Sequence, residues 1–394
     1  MEATISGNAF EFSANRLLKA RAAVSLLFFL NGLLFASWVA RIPLIQQTLG
    51  LNHAVLGAAL LSAAAGAVVT MPVAGLLNGK YGSEKLSTIW VLPYCFALPL
   101  LALAPNVIVL VLALFFFGCG HGALDVAMNA QGVAVDRRYG KPVMSSFHAM
   151  FSVGGLVGAA FGALMAWIEL APFWHFSLMS GAMAIAGWIA CKHLLPGVDK
   201  IEKSEDSHGF VLPPKALVPL GIVAVAVLIG EGAMADWTGV FLHKVLGATE
   251  AVAAAGYAAF SIAMAVGRFS GDALVARLGS VKLVRISGLL AAVGLTIGVF
   301  TNSPWISLMG FVLVGAGCST VVPCVFSAAG RMHGVQTGVA LAAVTTMGYF
   351  GFLIGPPLIG FAAQIMGLRG ALAMLIGTSL LVAALATALR SSER

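Results

Sequence analysis

Three carboxylates lie inside long apolar stretches of the chain, at Asp125, Glu231 and Asp236. An ionisable group within a bilayer costs roughly 3 kcal/mol on insertion scales, so each of them predicts a functional position. Asp125 is the leading candidate, because His121, Asp125 and Asn129 recur every four residues and therefore share one face of a helix. Such a stripe should face a water-filled cavity, where Asp125 could carry a proton and Asn129 could bind hydroxyl groups. The alternative is a hydrogen-bonded contact between helices, and for His121 we favour packing.

Glu231 and Asp236 are predicted to act in proton coupling from different sides of their helix. Five residues apart, they point about 140° away from each other on a straight helix, so they cannot form one ligand pair. Glu231 is expected near mid-membrane and Asp236 nearer the outer mouth. The alternative role for Asp236 is a gate ion pair or a helix cap, with Arg41 or Lys244 as its partner.

Other polar and aromatic residues extend the predicted site. His148 is a predicted proton relay, because histidine titrates near neutral pH, although a helix-end anchor explains it equally well. Trp38 and Trp237 hold nearly matching positions in two stretches and are predicted to stack on a sugar ring or bind a cation. An interfacial aromatic belt is the alternative for this pair. Asn31 and Tyr349 are predicted cavity linings.

The composition fixes the class of protein that must position these residues. Of 394 residues, 60% are hydrophobic and 9% are charged, and the mean hydropathy is +0.98. A soluble domain carries roughly 25% charged residues, so a water-soluble protein is excluded. The net charge of +7 comes from basic residues at the ends of apolar segments, which indicates membrane topology rather than nucleic-acid binding. The five cysteines have no metal-ligand spacing, and we expect neither a metal nor a cofactor.

Turn residues and charges divide the chain into twelve apolar segments and one polar stretch. The segments are expected at 20–42, 54–78, 87–104, 107–133, 144–168, 173–195, 216–243, 251–275, 283–301, 305–329, 336–363 and 370–389. We therefore predict an N-terminal tail (1–19), an N-terminal six-helix bundle (20–195), a linker (196–215), a C-terminal six-helix bundle (216–389) and a short tail (390–394).

The basic residues also orient the predicted spans. If the N-terminus is cytoplasmic, only Arg41, Lys244 and Arg369 of the 22 lysines and arginines fall on the outer side. The positive-inside rule therefore predicts an inner-membrane protein with both termini and the linker in the cytoplasm.

The second half of the sequence repeats the first at an offset of 197, half of 394. Glycines show the repeat: Gly118, Gly120, Gly154 and Gly158 correspond to Gly315, Gly317, Gly351 and Gly355. Six spans return the chain to its starting side, so the repeats must be parallel. The predicted fold is an all-α membrane protein with twelve transmembrane helices in two parallel six-helix pseudo-repeats, which transporters use to enclose a solute site.

Two motifs carry a resemblance to a known family. The segment with Gly75, Lys80, Gly82 and Lys85 resembles the signature of the loop between the second and third helices in the major facilitator superfamily, and its second copy has Asp272, Arg277 and Gly279. Gly79 stands where the family pattern has an acid. The resemblance covers essentially the whole chain, and it implies that both copies help to gate the cytoplasmic side.

Within that superfamily the chain resembles the fucose-permease branch of sugar–proton symporters. The similarity rests on Gly120-His-Gly-Ala-Leu-Asp-Val-Ala-Met-Asn129 in the fourth helix and on Glu231 and Trp237 in the seventh. It implies a sugar-like solute and coupling to protons, with sodium as the other possible ion.

The leading hypothesis is thus a monomeric secondary transporter that moves a small polar solute by alternating access, with Asp125 as the coupling carboxylate. A proton antiporter that exports amphiphilic compounds is the alternative, since 15 methionines and 24 phenylalanines suit an adaptable apolar pocket. We expect no enzymatic activity, and no Walker A loop is present to use ATP. A membrane-embedded enzyme or a solute sensor is the remote alternative.

Overall fold

A computed structural model describes residues 13–51, 53–197, 215–248 and 250–392 of the chain. Most of the predicted linker (198–214) and of the N-terminal tail (1–12) lies outside the described residues, as do residues 393–394 of the C-terminal tail.

The described residues form thirteen α-helices. They are α1 (Ala14–Val39), α2 (Ile42–Thr48), α3 (His53–Tyr81), α4 (Ser83–Ala102), α5 (Val107–Arg138), α6 (Met144–Trp167), α7 (Pro172–Cys191), α8 (Val218–Lys244), α9 (Glu250–Leu278), α10 (Ser280–Phe300), α11 (Pro304–Cys318), α12 (Val321–Gly330) and α13 (Thr337–Leu385). A 3-10 helix (Lys215–Leu217) precedes α8, and another (Ala386–Ser392) follows α13.

Twelve helical segments of the described chain are long and apolar enough to cross a membrane, which confirms the predicted number of spans. The tenth span consists of α11 and α12, because the helix is interrupted at Ser319 and Thr320. The last two spans both belong to α13, which changes direction at Gly367 (φ 73°, ψ 163°). Only glycine adopts this backbone conformation without strain, so Gly367 supplies the turn between the two spans.

The loop predicted around Gly75 to Lys85 is wrong in its extent, as is its second copy. Helix α3 continues to Tyr81 and α9 continues to Leu278, so Gly75 and Asp272 lie within helices. Each turn is a single glycine with a positive φ, Gly82 at 93° and Gly279 at 73°. The matching motif thus encodes a sharp helix-to-helix turn in both repeats.

The sequence repeat is reproduced in the packing. Gly118 lies directly against the backbone oxygen of Ala63, and the corresponding Gly315 lies directly against that of Phe260. Both members of each contact are related by the same offset within the 394-residue chain. A side chain at either glycine would collide with backbone, so glycine is required for the close approach of these helices.

We call the spans of α1–α7 the first half, those of α8–α13 the second half, and the membrane face at which α1 and α8 begin the linker face. The halves meet through α3 against α13, α6 against α9 and α12, and α5 against α12 and α13. The side-chain contacts between the two halves that are described below lie between the middle of the helices and the linker face. They include the packing of Gly330 on Val133, near the linker-face ends of α12 and α5. The protein is therefore closed at the linker face in this conformation.

Candidate functional site

A hydrogen-bonded network of polar side chains joins the two halves at mid-membrane. His121 on α5 contacts the Asn31 side chain through Nδ1 (2.8 Å) and the Tyr349 hydroxyl through Nε2 (2.8 Å). The Oδ1 atom of Asn31 can only accept, so Nδ1 of His121 carries the proton and Tyr349 donates to Nε2. Tyr94 donates to the backbone oxygen of Asn31 (3.3 Å) and closes the network on α4. His121 is 8% exposed and both of its ring nitrogens have partners, with the Tyr94 hydroxyl also 3.3 Å from Nδ1, which is compatible with the favoured packing role.

Asp125 and Asn129 lie one and two turns beyond His121 on α5, toward the linker face. The side-chain amide of Asn129 donates to Oδ1 of Asp125 (3.2 Å) and to its backbone oxygen (2.8 Å). Oδ1 of Asn129 is buried and has no hydrogen-bond partner among the described residues. The predicted polar stripe on one helix face is thus present, and it contains one buried acceptor without a partner among the described residues.

Glu231 on α8 is accompanied by a cation that the sequence analysis did not single out. Arg268 on α9 lies 3.8 Å from Glu231 and donates a hydrogen bond of 2.9 Å to the Ser152 hydroxyl on α6. Both charged side chains are 11% exposed. The topology argument treated Arg268 as a residue of the cytoplasmic end, but it lies about 15 Å inside α9 at the helical rise of 1.5 Å. The sequence signal that could have predicted this partner is the position of an arginine within the apolar segment 251–275.

Asp125 and Glu231 lie at similar distances along their helices in opposite halves. Each is about 20 Å along its helix from the linker-face end, measured from Arg138 on α5 and from Val218 on α8. Their electrostatic surroundings differ. The described residues contain two ion pairs, Arg268 with Glu231 and Arg331 with Asp136, and Asp125 belongs to neither.

Aromatic rings border the network on the side away from the linker face. Phe35 on α1 packs 5.6 Å from the His121 ring, and Phe352 on α13 packs 6.3 Å from the Tyr349 ring, measured between ring centroids. Phe35 is 43% exposed and Phe352 is 40% exposed, although both adjoin a mostly buried network. Two exposed aromatic rings thus adjoin the network on the side away from the linker face.

The two tryptophans do not form the predicted aromatic pair. Trp38 is 2% exposed and packs against Phe176 within the first half. Trp237 is partly buried beside Gly360, and its indole nitrogen has no partner among the described residues. Phe35 and Phe352, and not the tryptophans, are the aromatic rings in contact with His121 and Tyr349.

The remaining predicted residues are scattered around this centre. His148 is 9% exposed and lies between the rings of Phe28 and Phe326, with Nε2 unpaired within the described chain. Asp236 is exposed near the far end of α8. Arg41 is not its partner, because Arg41 bonds His175 (3.3 Å) and the backbone oxygen of Leu170 (2.9 Å). Burial lowers the pKa of Arg41.

Two carboxylates connect the halves near the linker face. Asp272 on α9 accepts hydrogen bonds from the backbone N–H groups of Ser145 (2.8 Å) and Ser146 (2.9 Å), in the first turn of α6. This acid satisfies free donors and interacts with the positive end of the helix dipole. Asp136 on α5 pairs with Arg331 and accepts from the Ser327 hydroxyl (3.1 Å).

The first copy of the turn motif contacts the second half in a different way. Gly75 lies against Ala342 and Gly338 at the start of α13, and a Cβ atom at Gly75 would come within 2.8 Å of the Gly338 oxygen. Lys80, Lys85 and Arg277 are exposed around these turns. Gly75 and Asp272 are equivalent positions of the two motif copies. Gly75 packs against the backbone of α13, whereas Asp272 binds the N-terminus of α6.

Twelve spans in two parallel repeats, with a polar site between them, define a secondary transporter of the membrane. The chain belongs to the Major Facilitator Superfamily, whose family model matches residues 24–286 and 238–394. It is accordingly a multi-pass membrane transporter and not an enzyme.

Individual relatives agree with this assignment. The chain is 37% identical over 364 residues to an uncharacterized MFS-type transporter of Yersinia pestis, covering 92% of this chain and 94% of the relative. Its structure is similar to that of FucP in the outward conformation, with a TM-score of 0.81 and 16% identity over 94% of this chain and 98% of FucP. A second FucP structure, described as the E. coli fucose:proton symporter, has a TM-score of 0.76 at 17% identity and covers 93% and 97% of the two chains.

Proposed function

We propose that the protein is a proton-coupled symporter of a small, polar, sugar-like solute, with Asp125 as the carboxylate that carries the proton. The observation that supports this most directly is the position of Asp125. It lies one turn from the His121–Tyr349 hydrogen bond that joins the halves, and it belongs to neither ion pair of the described residues.

The contrast with Glu231 favours Asp125 as the proton carrier. A nearby cation favours the charged form of a carboxylate, and Arg268 stands 3.8 Å from Glu231. Arg268 therefore offsets part of the cost of a charge on Glu231, whereas Asp125 has only the neutral amide of Asn129 beside it. An isolated carboxylate at mid-membrane gains most from protonation, because a neutral acid avoids the cost of a buried charge.

The chemistry of the site favours a hydroxyl-rich solute. The unpaired acceptor of Asn129 can receive a hydroxyl hydrogen, and Asp125 can accept a second. Phe35 and Phe352 offer exposed ring faces for the apolar face of a sugar ring. FucP, whose fold this chain shares, is described as a fucose:proton symporter, which is consistent with this class of solute.

Transport would proceed by rocking of the two halves as rigid bundles around this site. We assign the linker face to the cytoplasm, because Arg41, Lys244 and Arg369 are the three basic residues near the opposite face. The conformation described above is then outward-facing. Solute and proton would enter beside Phe35 and Phe352, and the contacts of Asp136 and Asp272 must break before release into the cytoplasm.

The test is solute-dependent proton uptake into proteoliposomes, measured with an internal pH dye and a panel of monosaccharides and polyols. We expect one or more of these solutes to draw protons inward with the wild type. Asp125→Asn should abolish this proton movement and retain counterflow of the same solute. Glu169→Gln, the same chemical change at an exposed turn residue, should behave as wild type.

Other outcomes would replace the proposal. Solute uptake that follows a sodium gradient and not a proton gradient would exclude proton coupling. Proton release driven by a lipophilic cation, with no response to any sugar or polyol, would instead support an antiporter of amphiphilic compounds. Full proton coupling in Asp125→Asn would exclude Asp125 as the carrier.

A further inference from the structure

A groove on the linker face carries positive charge that the transport site does not use. It lies between the first turns of α10 and the 3-10 helix Ala386–Ser392, and its volume is about 560 Å³. Three cations line it, Lys282, Arg285 and Arg390, and all three are exposed. Of the described residues that line the groove, none is acidic.

The rest of the groove wall is apolar. Leu278 and Val281 lie at the α9–α10 turn, and Ile286 and Leu289 continue along α10 toward the membrane interior. Ile286 is 43% exposed and Leu289 is 47% exposed. A polar end with three cations is thus continuous with an apolar track that points into the bilayer.

The charge is not a consequence of the internal repeat. In the first half the positions equivalent to Lys282, Arg285 and Arg390 are Lys85, Thr88 and His193. The first half therefore has one lysine at the positions where the second half has three lysine or arginine side chains. The positive-inside rule requires basic residues somewhere on this face, but it does not require Lys282 and Arg285 to meet Arg390 from a distant segment.

We propose that this groove binds one anionic phospholipid, with its phosphate on Lys282, Arg285 and Arg390 and an acyl chain along Ile286 and Leu289. Arginine and lysine recognise phosphate through charge-assisted hydrogen bonds, and basic pockets between helices bind lipid head groups in this way. The bound lipid would fix the α9–α10 turn. Helix α9 carries Asp272, so the lipid would support the contact between Asp272 and α6.

The experiment counts lipids retained by the purified full-length protein in native mass spectrometry. The protein is first reconstituted in phosphatidylcholine bilayers with or without phosphatidylglycerol. It is then extracted from the bilayer for the mass measurement. We expect one tightly held phosphatidylglycerol in the wild type. The variant K282Q/R285Q/R390Q should bind it roughly 100-fold more weakly, since each cation near a lipid phosphate contributes about five-fold. This readout needs no solute, so it is independent of the proposed symport.

The matched control removes three other exposed lysines of the same face, Lys19, Lys192 and Lys215, by substitution with glutamine. It should retain the lipid, and both triple variants should have the wild-type melting temperature. Equal loss of phosphatidylglycerol in the control would mean that only the overall charge attracts lipid, and the site would be rejected. Retention by K282Q/R285Q/R390Q, or binding of inorganic phosphate without phosphatidylglycerol, would also overturn the proposal.

Discussion

His121 and Tyr349 are joined by a 2.8 Å hydrogen bond although they lie 228 residues apart, on opposite halves of the protein. The bond lies between the exposed ring of Phe35 and the carboxylate of Asp125. Any movement that separates the halves at this level must break it. If the proposed solute site is correct, the pair couples it directly to the movement of the two halves.

Tyr349→Phe removes the hydroxyl and leaves Nε2 of His121 without a donor. A net hydrogen bond contributes about 1 kcal/mol, so we expect the apparent affinity for the transported solute to fall about five-fold. Solute counterflow into proteoliposomes measures the change. Tyr257→Phe, an identical substitution at an exposed residue of α9, is the control and should leave the affinity unchanged. An unaltered affinity in Tyr349→Phe would mean that the His121–Tyr349 hydrogen bond does not contribute to solute binding.

Gly75→Ala should open the linker face. A Cβ atom at Gly75 would collide with Ala342 and crowd the Gly338 oxygen at 2.8 Å, which costs about 1–3 kcal/mol in a packed contact. Pulsed electron–electron double resonance between spin labels attached at positions 19 and 215 should show a longer distance than in the wild type. Gly181→Ala on α7 has open space around the added atom and should leave the distance unchanged. An unchanged distance in Gly75→Ala would mean that α3 and α13 accommodate the added methyl group without moving apart.

The number of spans, the parallel repeat and the stripe of His121, Asp125 and Asn129 could be predicted from the sequence, because each depends on local composition or regular spacing. The closure of the linker face could not. Asp136 and Arg331 are 195 residues apart, and their pairing depends on how the halves dock. Arg268 was misassigned for a related reason, since the positive-inside rule says nothing about how far a helix continues past a charge.

The aromatic residues show the same limit on a smaller scale. Phe35 and Trp38 are three residues apart on α1, so their side chains differ by about 60° around the helix. Only the packing of α1 against α7 decides that Trp38 turns to Phe176 while Phe35 remains 43% exposed beside His121. Residue type alone favoured the larger tryptophan ring, whereas the packing leaves the phenylalanine exposed beside the network.

Arg268→Gln should destabilise the protein more than its double variant with Glu231→Gln. Removing the cation leaves Glu231 without its partner at 11% exposure, and the loss of one partner of a buried ion pair costs about 3 kcal/mol. Neutralising both partners removes that penalty. Thermal unfolding in detergent should therefore give a lower melting temperature for Arg268→Gln than for the double variant, with Lys19→Gln as an exposed control. A double variant less stable than Arg268→Gln would show that the two charges do not compensate each other.

Asp136 and Arg331 should act as one unit in holding the linker face closed. Asp136 has 1% of its side chain exposed, and it also accepts a hydrogen bond from the backbone N–H of Val143 (2.8 Å). Either Asp136→Asn or Arg331→Gln removes the ion pair, so each should lengthen the distance between labels at Lys19 and Lys215.

The double variant distinguishes a direct interaction from two separate effects. Residues of one ion pair are not additive in a double-mutant cycle, so the second substitution should add little to the first. Lys192→Gln, an exposed change on the same face, should leave the label distance at the wild-type value. Full additivity of the two substitutions would mean that Asp136 acts through Val143 and Ser327 rather than through Arg331.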